Sequence, residues 1–520
     1  MSRTRTYLLY AALALLALLL AGALFADRLA PRGSGPHAYT LPLQADATEW
    51  DRVLAPMLAE HPRQTGAILL NDGLEAFAAR ALSARGAGRS LDLQYYMWHD
   101  DLTGRLLALE AWRAAQRGVR VRMLLDDMNA HGLDQQMLAL DAHPNIEIRL
   151  YNPFRNRSGV RRVLETLVRA LRVNHRMHNK AWIVDGRAAV VGGRNIGEEY
   201  FDAASDTNFR DLDVLLMGPA VADASQVFDR YWNSEAVVPI GELGKQDAAQ
   251  LQAMVRHIEA GTGRAEAQTY LRRVEATPGV QAFVTQQLHP FWVSDIRVVS
   301  DPPLKWREDD RQHWLVRTLA PVVEGARSRA ALISPYFVPG TDGTDMLTAL
   351  ARRHVQVGVV TNSLAANDVP AVHSGYARYR EALLAGGVQL HDLRAQGHGQ
   401  AATSGLFGSS GASLHTKAFV VDGRRGFIGS FNLDPRSVAL NTEMGVLFDH
   451  PGLGAALQAE YDRLAGPAFS YAVYTDGNGR LRWRDDGTTP PTVHEVEPDA
   501  GLWRRISARV LRWLPIESQL

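Results

Sequence analysis

His178-Asn179-Lys180-Ala181-Trp182-Ile183-Val184-Asp185 is written a second time, with like residues, as His415-Thr416-Lys417-Ala418-Phe419-Val420-Val421-Asp422. The chain has 520 residues and 56 basic ones, yet only four of these are lysines, two of them in this frame. Arginine is a wide planar fork, whereas lysine is a compact charge on a thin stem that can reach one phosphoryl oxygen inside a narrow site. Each frame then runs to a glycine-rich turn and an asparagine, Gly192-Gly193-Arg194-Asn195 and Gly429-Ser430-Phe431-Asn432.

The apolar runs Ala181 to Val184 and Ala418 to Val421 end in Asp-Gly, a strong hairpin signal. Each frame therefore predicts a strand, a tight turn and a return strand that ends at the Gly-x-x-Asn. Side chains alternate along a strand, so His178 and Lys180 share one face, as do His415 and Lys417. Asp185 and Asp422 belong to the frame and are counted among its candidate site residues. They fall on the opposite face, however, where holding the turn or pairing with an arginine suits them better than touching a substrate.

Working outward, one plan is used twice. Ser90 to Trp98 reads as a strand, Arg105 to Arg117 as a helix, and Val119 to Leu125 and Ile146 to Leu150 as strands, all ahead of the first frame. Ala331 to Val338, Thr348 to Arg353, Val355 to Thr361 and Val388 to Leu393 repeat the order ahead of the second. Alternating strands and helices predict an α/β fold with two α/β sandwich domains, over residues 50–240 and 307–487. Residues 241–306 read as a helical insert or linker, with helices over Gln246 to Glu259 and Glu266 to Glu275. Gly397 to Ser413 is a Gly/Ser/Ala-rich loop directly before His415, either a lid or an inert surface loop. Residues 488–520 read as a linker and a C-terminal helix.

Formal net charge is zero and cysteine is absent. Disulfides, thiolate catalysis and cysteine zinc sites are excluded, and neutrality argues against a dedicated nucleic-acid binder. His99-Asp100-Asp101 reads as a solvated loop rather than a metal site. Two stretches point to a membrane. Tyr7 to Ala26 is 20 uncharged, mostly apolar residues, about 30 Å as a helix, enough to cross a bilayer. Its length favours a retained anchor (residues 1–30) over a signal peptide cleaved near Ala21-Gly22-Ala23. The N-terminal amine tips the orientation toward a cytoplasmic N-terminus, with the body on the outer side of the inner membrane. At the other end, Leu502, Trp503, Ile506, Val510, Trp513 and Leu514 recur at helical spacing between Arg504, Arg505, Arg509 and Arg512. Such a helix either lies in a headgroup layer or packs its apolar stripe on the body.

The doubled HxKxxxxD frame, with its Gly-x-x-Asn turns, resembles the phospholipase D superfamily. The likeness extends through Leu91-Asp-Leu-Gln-Tyr-Tyr-Met-Trp98, Ser334-Pro-Tyr-Phe-Val-Pro339 and Thr361-Asn-Ser-Leu-Ala-Ala-Asn-Asp368. Over residues 50 to 515 the chain is similar to bacterial cardiolipin synthases, above all their C-type branch. The resemblance implies two phospholipase D-like domains facing across a pseudo-two-fold axis, with both His/Lys couples in one cleft. It implies His178 as nucleophile and His415 as acid and base, with Lys180, Lys417, Asn195 and Asn432 on the phosphoryl oxygens. Glu443 matches the family position for a carboxylate behind a catalytic histidine, and Asp211 is its counterpart, with Asp213 the alternative. Gly193 departs from the serine common at that turn. The implied activity is phosphatidyl transfer, through a phosphohistidine, to phosphatidylglycerol, at the bacterial inner membrane and without cofactor or metal. The implied partners are membrane phospholipids, with phosphatidylethanolamine as a further donor, the membrane surface and an accessory protein, but not nucleic acid. A phospholipase D that admits water is the same-class rival; a nuclease or a non-enzymatic membrane scaffold stands further off.

Overall fold

The computed structural model describes residues 10, 33, 35–130, 132–169, 174–285, 287–307, 311–395, 414–514 and 516–520. The anchor at 7–26, apart from Tyr10, and the loop at 397–413 lie outside the described residues. Among those described, no helix is long and apolar enough to cross a membrane.

Both frames fold as read from Ala181 and Lys417 onward. Ala181–Val184 pairs with Ala188–Gly192, and Lys417–Val421 with Arg425–Gly429, each antiparallel. Asp185 and Gly186 take φ of 54° and 65°, and Asp422 and Gly423 take 54° and 63°. Two successive positive φ values make the tight turn whose twist matches a hairpin, and Asp and Gly are residues that tolerate them. His178 and Lys180 precede their strand, whereas Lys417 begins its own.

Among the described residues, each hairpin lies inside its own sheet. The first sheet has nine strands, in the order Val237–Pro239, Ile146–Tyr151, Arg120–Asp126, Ser90–Tyr95, the hairpin, Asp213–Met217, Thr65–Leu70 and Phe291–Val293. The second has ten, in the order Asp295–Ser300, Met444–Asp449, the hairpin, Arg329–Ile333, Gln356–Asn362, Gln389–Leu393, Ser470–Thr475, Leu481–Asp485 and Thr492–His494. In both, three parallel strands lie on one side of the hairpin and antiparallel strands on the other. The repeated plan is thus a repeated topology.

The linking region departs from its sequence reading. Ala248–Thr262, Ala265–Ala276 and Pro278–Val284 are helical, but Phe291–Val293 and Asp295–Ser300 are strands. Phe291–Val293 closes the edge of the first sheet on Thr65–Leu70, and Asp295–Ser300 pairs with Met444–Asp449 in the second. One short turn therefore carries the chain from sheet to sheet.

A shared core joins the two sheets. Ala181, Ile183, Val191 and Val214 of the first pack into one cluster with Ile333, Val420, Ile428 and Val446 of the second. Helices Ala220–Trp232 and Pro451–Ala465 contribute Phe228, Trp232, Leu457 and Leu464 to it. Each such side chain removed from water contributes roughly 2 kcal/mol, which fixes how the halves face. The C-terminal helix Leu502–Leu511 buries only Ala508. Leu502, Trp503, Ile506 and Val510, with Trp513 and Leu514 just beyond, are exposed, so the apolar stripe does not pack on the body.

Candidate active site

The backbone crosses between halves at both histidines. His178 N–H donates to the Thr442 carbonyl, and Thr442 N–H donates back to Arg176, both at 2.9 Å. His415 and Thr416 donate to the Arg210 carbonyl at 2.8 and 3.0 Å. These bridges hold each histidine against the strand entry that carries the other half's carboxylate.

The carboxylates are exchanged accordingly. Glu443, from the second half, lies 2.8 Å from His178 Nδ1; Asp211, from the first half, lies 2.6 Å from His415 Nδ1. An ionised carboxylate can only accept, so each imidazole donates its Nδ1 proton and leaves the Nε2 lone pair free. Asp213 takes no part. It is bound to Arg80 at 2.9 Å and Arg194 at 3.3 Å.

The two carboxylates are supported differently. Glu443 also accepts from Ser430 Oγ, and its other oxygen accepts from Ser437 Oγ at 3.0 Å. At the matching turn Gly193 leaves no room for a serine, because a Cβ there would stand 2.2 Å from Asp211 Oδ1. The missing hydroxyl is thus replaced by a shorter acid brought closer to the backbone.

Both lysines are buried, and each donates to the carbonyl of its own histidine, Lys180 at 2.6 Å. Lys417 Nζ also lies 2.8 Å from His415 Nδ1. Burial pulls Lys180 down to about 7, although Glu443 opposes it, and the Lys417 charge pulls it further. Burial likewise brings Lys417 to about 8, against the pull of Asp211 and Glu443. His178 falls to about 4, first through burial and then through the lysine charges. His415 is driven well below its ordinary value by burial, Lys417, Lys180 and His178. Each histidine senses charge from the other half, so the couples share one electrostatic environment. Burial raises the Glu443 carboxyl, but its contact with His178, the Lys180 charge and the Ser430 hydroxyl outweigh it and hold the group below its ordinary value.

Asn195 and Asn432 sit beside the couples. Asn195 Nδ2 donates to Tyr200 Oη at 3.0 Å, and the amide oxygens of both asparagines are buried without a protein partner. Each amide oxygen thus keeps an acceptor site for a hydroxyl or ammonium, whereas a phosphoryl oxygen needs an Nδ2 proton. Asp185 and Asp422 stand apart, and their place in the catalytic set is corrected by the geometry. Asp185 accepts the N–H groups of Gly88, Arg89 and Ser90 at 2.7–2.9 Å. Asp422 accepts those of Arg327, Ser328 and Arg329. Both aspartates tie the hairpin turn to the chain entering the neighbouring parallel strand. His99, Asp101 and Glu199 bring ligand atoms within 4.8 Å of one another. Asp101 is occupied there as the cap of Leu102–Gln116, accepting from Gly104 and Glu198 N–H.

A pocket with two neutral imidazoles and two buried lysines, which an anion would keep protonated, fits a phosphodiester, and comparison with known proteins agrees. The family model described as "Cardiolipin synthase, PLD-like domain" matches residues 83–232 and 319–465, one segment per sheet. The chain belongs to the phospholipase D-like cardiolipin synthase family. It is 40% identical over 471 residues to cardiolipin synthase C of Escherichia coli K12, covering 89% of this chain and 98% of that one. A Staphylococcus aureus cardiolipin synthase is 25% identical over 402 residues, covering 76% of this chain and 67% of the relative. The crystal structure of phosphatidylserine synthase from Haemophilus influenzae superposes with a TM-score of 0.55 at 12% identity, over 90% of this chain and all of that one. That likeness concerns the fold.

Sequence reasoning missed the aromatic walls of this cardiolipin synthase site. Tyr96 meets the His178 ring edge-on at 5.0 Å, and its face lies 5.5 Å from Lys180 Nζ. Tyr200 meets His415 edge-on at 5.1 Å while Phe209 stacks on it at 5.3 Å. Tyr96 lies inside the quoted Leu91–Trp98 stretch, which was the available signal. Tyr200 and Phe209 lie in an irregular segment with no periodicity to mark them.

Proposed function

We propose that this enzyme makes cardiolipin by moving a phosphatidyl group through His178 onto phosphatidylglycerol. His178 Nε2 attacks phosphorus, forming a P–N bond as the bond to the headgroup oxygen breaks. His415 supplies the proton to the departing alcohol. The glycerol hydroxyl of phosphatidylglycerol then takes that place, gives its proton back to His415, and its oxygen displaces the histidine. Lys180, Lys417, Asn195 and Asn432 hold the phosphoryl oxygens and offset the charge that builds there. A bound phosphodiester anion counters the two lysines, which lifts His415 toward the protonated form this scheme needs.

The exchanged carboxylates carry the reading, because they fix both imidazoles in the tautomer with Nε2 free. Transfer rather than hydrolysis requires the acceptor lipid to exclude water from the site. Exposed Trp503 and Arg509 on Leu502–Leu511, with Arg512 and Trp513 just beyond it, suit an anionic headgroup layer, and an anchor at 7–26 would hold the body there, on the periplasmic side. Phosphatidylethanolamine is a further donor and an accessory protein a further partner under this reading. The test is purified full-length protein in vesicles of phosphatidylglycerol with and without phosphatidylethanolamine, its products identified by mass spectrometry. Cardiolipin that disappears in His178→Ala supports the proposal; phosphatidic acid as the main product makes the protein a phospholipase D instead.

A further inference from the structure

Three of the four lysines are buried, and the third, Lys305, belongs to neither frame. It lies just past the strand Asp295–Ser300, where the chain passes from the linking region into the second half. An ammonium has three protons to place, and Lys305 places all three. It donates to Asp301 Oδ2 at 2.9 Å, the Ser437 carbonyl at 3.0 Å and the Asn441 carbonyl at 2.9 Å. Ser437 lies in the short helix Pro435–Ala439, and Asn441 in the turn that leads from it into Glu443.

Asp301 completes the grip. Its Oδ2 accepts the Glu443 N–H at 3.0 Å, and its own N–H donates to the Glu443 carbonyl at 2.9 Å. Its Oδ1 accepts the Leu315 N–H at 2.8 Å. Asp301 and Pro303 also reach the first half, since Tyr231 Oη donates to the Asp301 carbonyl at 2.9 Å and Tyr151 Oη to the Pro303 carbonyl at 2.7 Å. The segment from Asp301 to Lys305 is therefore bonded to both halves at the point where the carboxylate of one meets the histidine of the other.

We infer that Lys305, with Asp301, is a positioning pair for the reaction. It clamps the Ser437–Glu443 segment, from the helix Pro435–Ala439 through the turn after it, so that Glu443 meets His178 Nδ1 and Ser437 Oγ reaches the other Glu443 oxygen. A lysine suits this point because three divergent acceptors surround one small cation; a planar guanidinium cannot bond all three from one centre. Among the described residues no buried lysine backs Asp211 in this way; its partners besides His415 include the Leu212 N–H at 2.8 Å. The support is specific to the His178 side.

The inference rests on the proposed role of His178, and its test separates the two. Turnover is measured on full-length Lys305→Met in phosphatidylglycerol vesicles, and likewise on Asp301→Asn/Lys305→Met, which deletes both charges together and remains readable if the single variant does not fold. A shift of about 1 Å in a catalytic group costs on the order of 10²-fold. We expect kcat to fall by about that factor with KM unchanged. The acidic limb of the kcat profile moves to lower pH, because His178 loses the nearby anion that favours its charged form. Combined with Glu443→Gln, the Lys305 change adds no further loss, because both act through one contact. A folded variant with unchanged kcat and an unmoved acidic limb overturns the inference, as does a loss that multiplies with that of Glu443→Gln. Activity surviving in His178→Ala overturns the reading beneath it instead.

Discussion

Glu443 accepts a hydrogen bond from His178 across the interface between halves, at 2.8 Å, although the two residues are separated by just over half the chain. Asp211 does the same for His415 in the opposite direction. Neither half therefore contains a complete His–carboxylate pair, and the site exists only where the two sheets meet. Replacing one carboxylate by its amide keeps the shape but removes the charged acceptor that favours the Nδ1-protonated imidazole, leaving His178 only the Ser430 carbonyl at 3.2 Å. Glu443→Gln and Asp211→Asn should each lower kcat by at least about 10²-fold with little change in KM. Steady-state cardiolipin formation measures both.

Acid stability should report on His178. Its ionisation lies near 4 in the folded protein, chiefly through burial, against about 6.5 for an unperturbed histidine. Between these values the unfolded chain binds the extra proton and the folded one does not. The contribution is thus present above pH 6.5, declines as pH falls and is gone below about 4. It amounts to roughly 3 kcal/mol. Denaturant unfolding from pH 7 to pH 4 should show a shallower loss of stability in His178→Ala than in the parent. Equal slopes would place the charging cost elsewhere.

The frames were legible because each packs its signal into a few residues: apolar alternation, Asp-Gly, and a following Gly-x-x-Asn. The exchange of carboxylates was not, since sequence spacing says nothing of which half faces which histidine. Glu443 and Asp211 were recognised as candidates, but their pairing emerges only from the bridges at Thr442 and Arg210. Phe291–Val293 escaped for a different reason. Three residues carry no readable alternation, and this strand is defined by the edge of Thr65–Leu70 that it covers. Lys305 and Asp301 escaped because a buried ion pair four residues apart looks, in sequence, like any solvated pair.

The frame aspartates should prove structural. Removing the Asp185 carboxylate strands three backbone N–H groups, those of Gly88, Arg89 and Ser90. Asparagine tolerates the positive φ of 54° at this turn but offers one acceptor oxygen in place of two. Asp185→Asn should cost about 2 kcal/mol, seen as a lower denaturation midpoint, while turnover per folded molecule stays near that of the parent. A loss of kcat in fully folded Asp185→Asn would return this residue to the chemistry.

The C-terminal helix offers the last prediction. Arg504 holds it to the body, donating to the Leu364 carbonyl at 2.8 Å and to that of Asn367. Asp368, the next residue, accepts from Tyr336 Oη at 2.8 Å, and its charge is felt by Lys417. The helix is therefore docked beside the site, with Trp503 at 73% and Trp513 at 84% exposure turned outward. Inserting each indole into a headgroup layer is worth roughly 2 kcal/mol. Trp503→Ser/Trp513→Ser should raise the vesicle concentration needed for half-maximal rate by at least tenfold without altering kcat at saturation. Because Arg505 and Arg509 share that helix and Arg512 caps it, the parent's half-saturation should rise with salt in anionic vesicles. Quenching by brominated acyl chains, compared between parent and variant in the same vesicles, reads the insertion directly. Unchanged quenching would mean that these tryptophans never enter the lipid, and the helix would then need another partner.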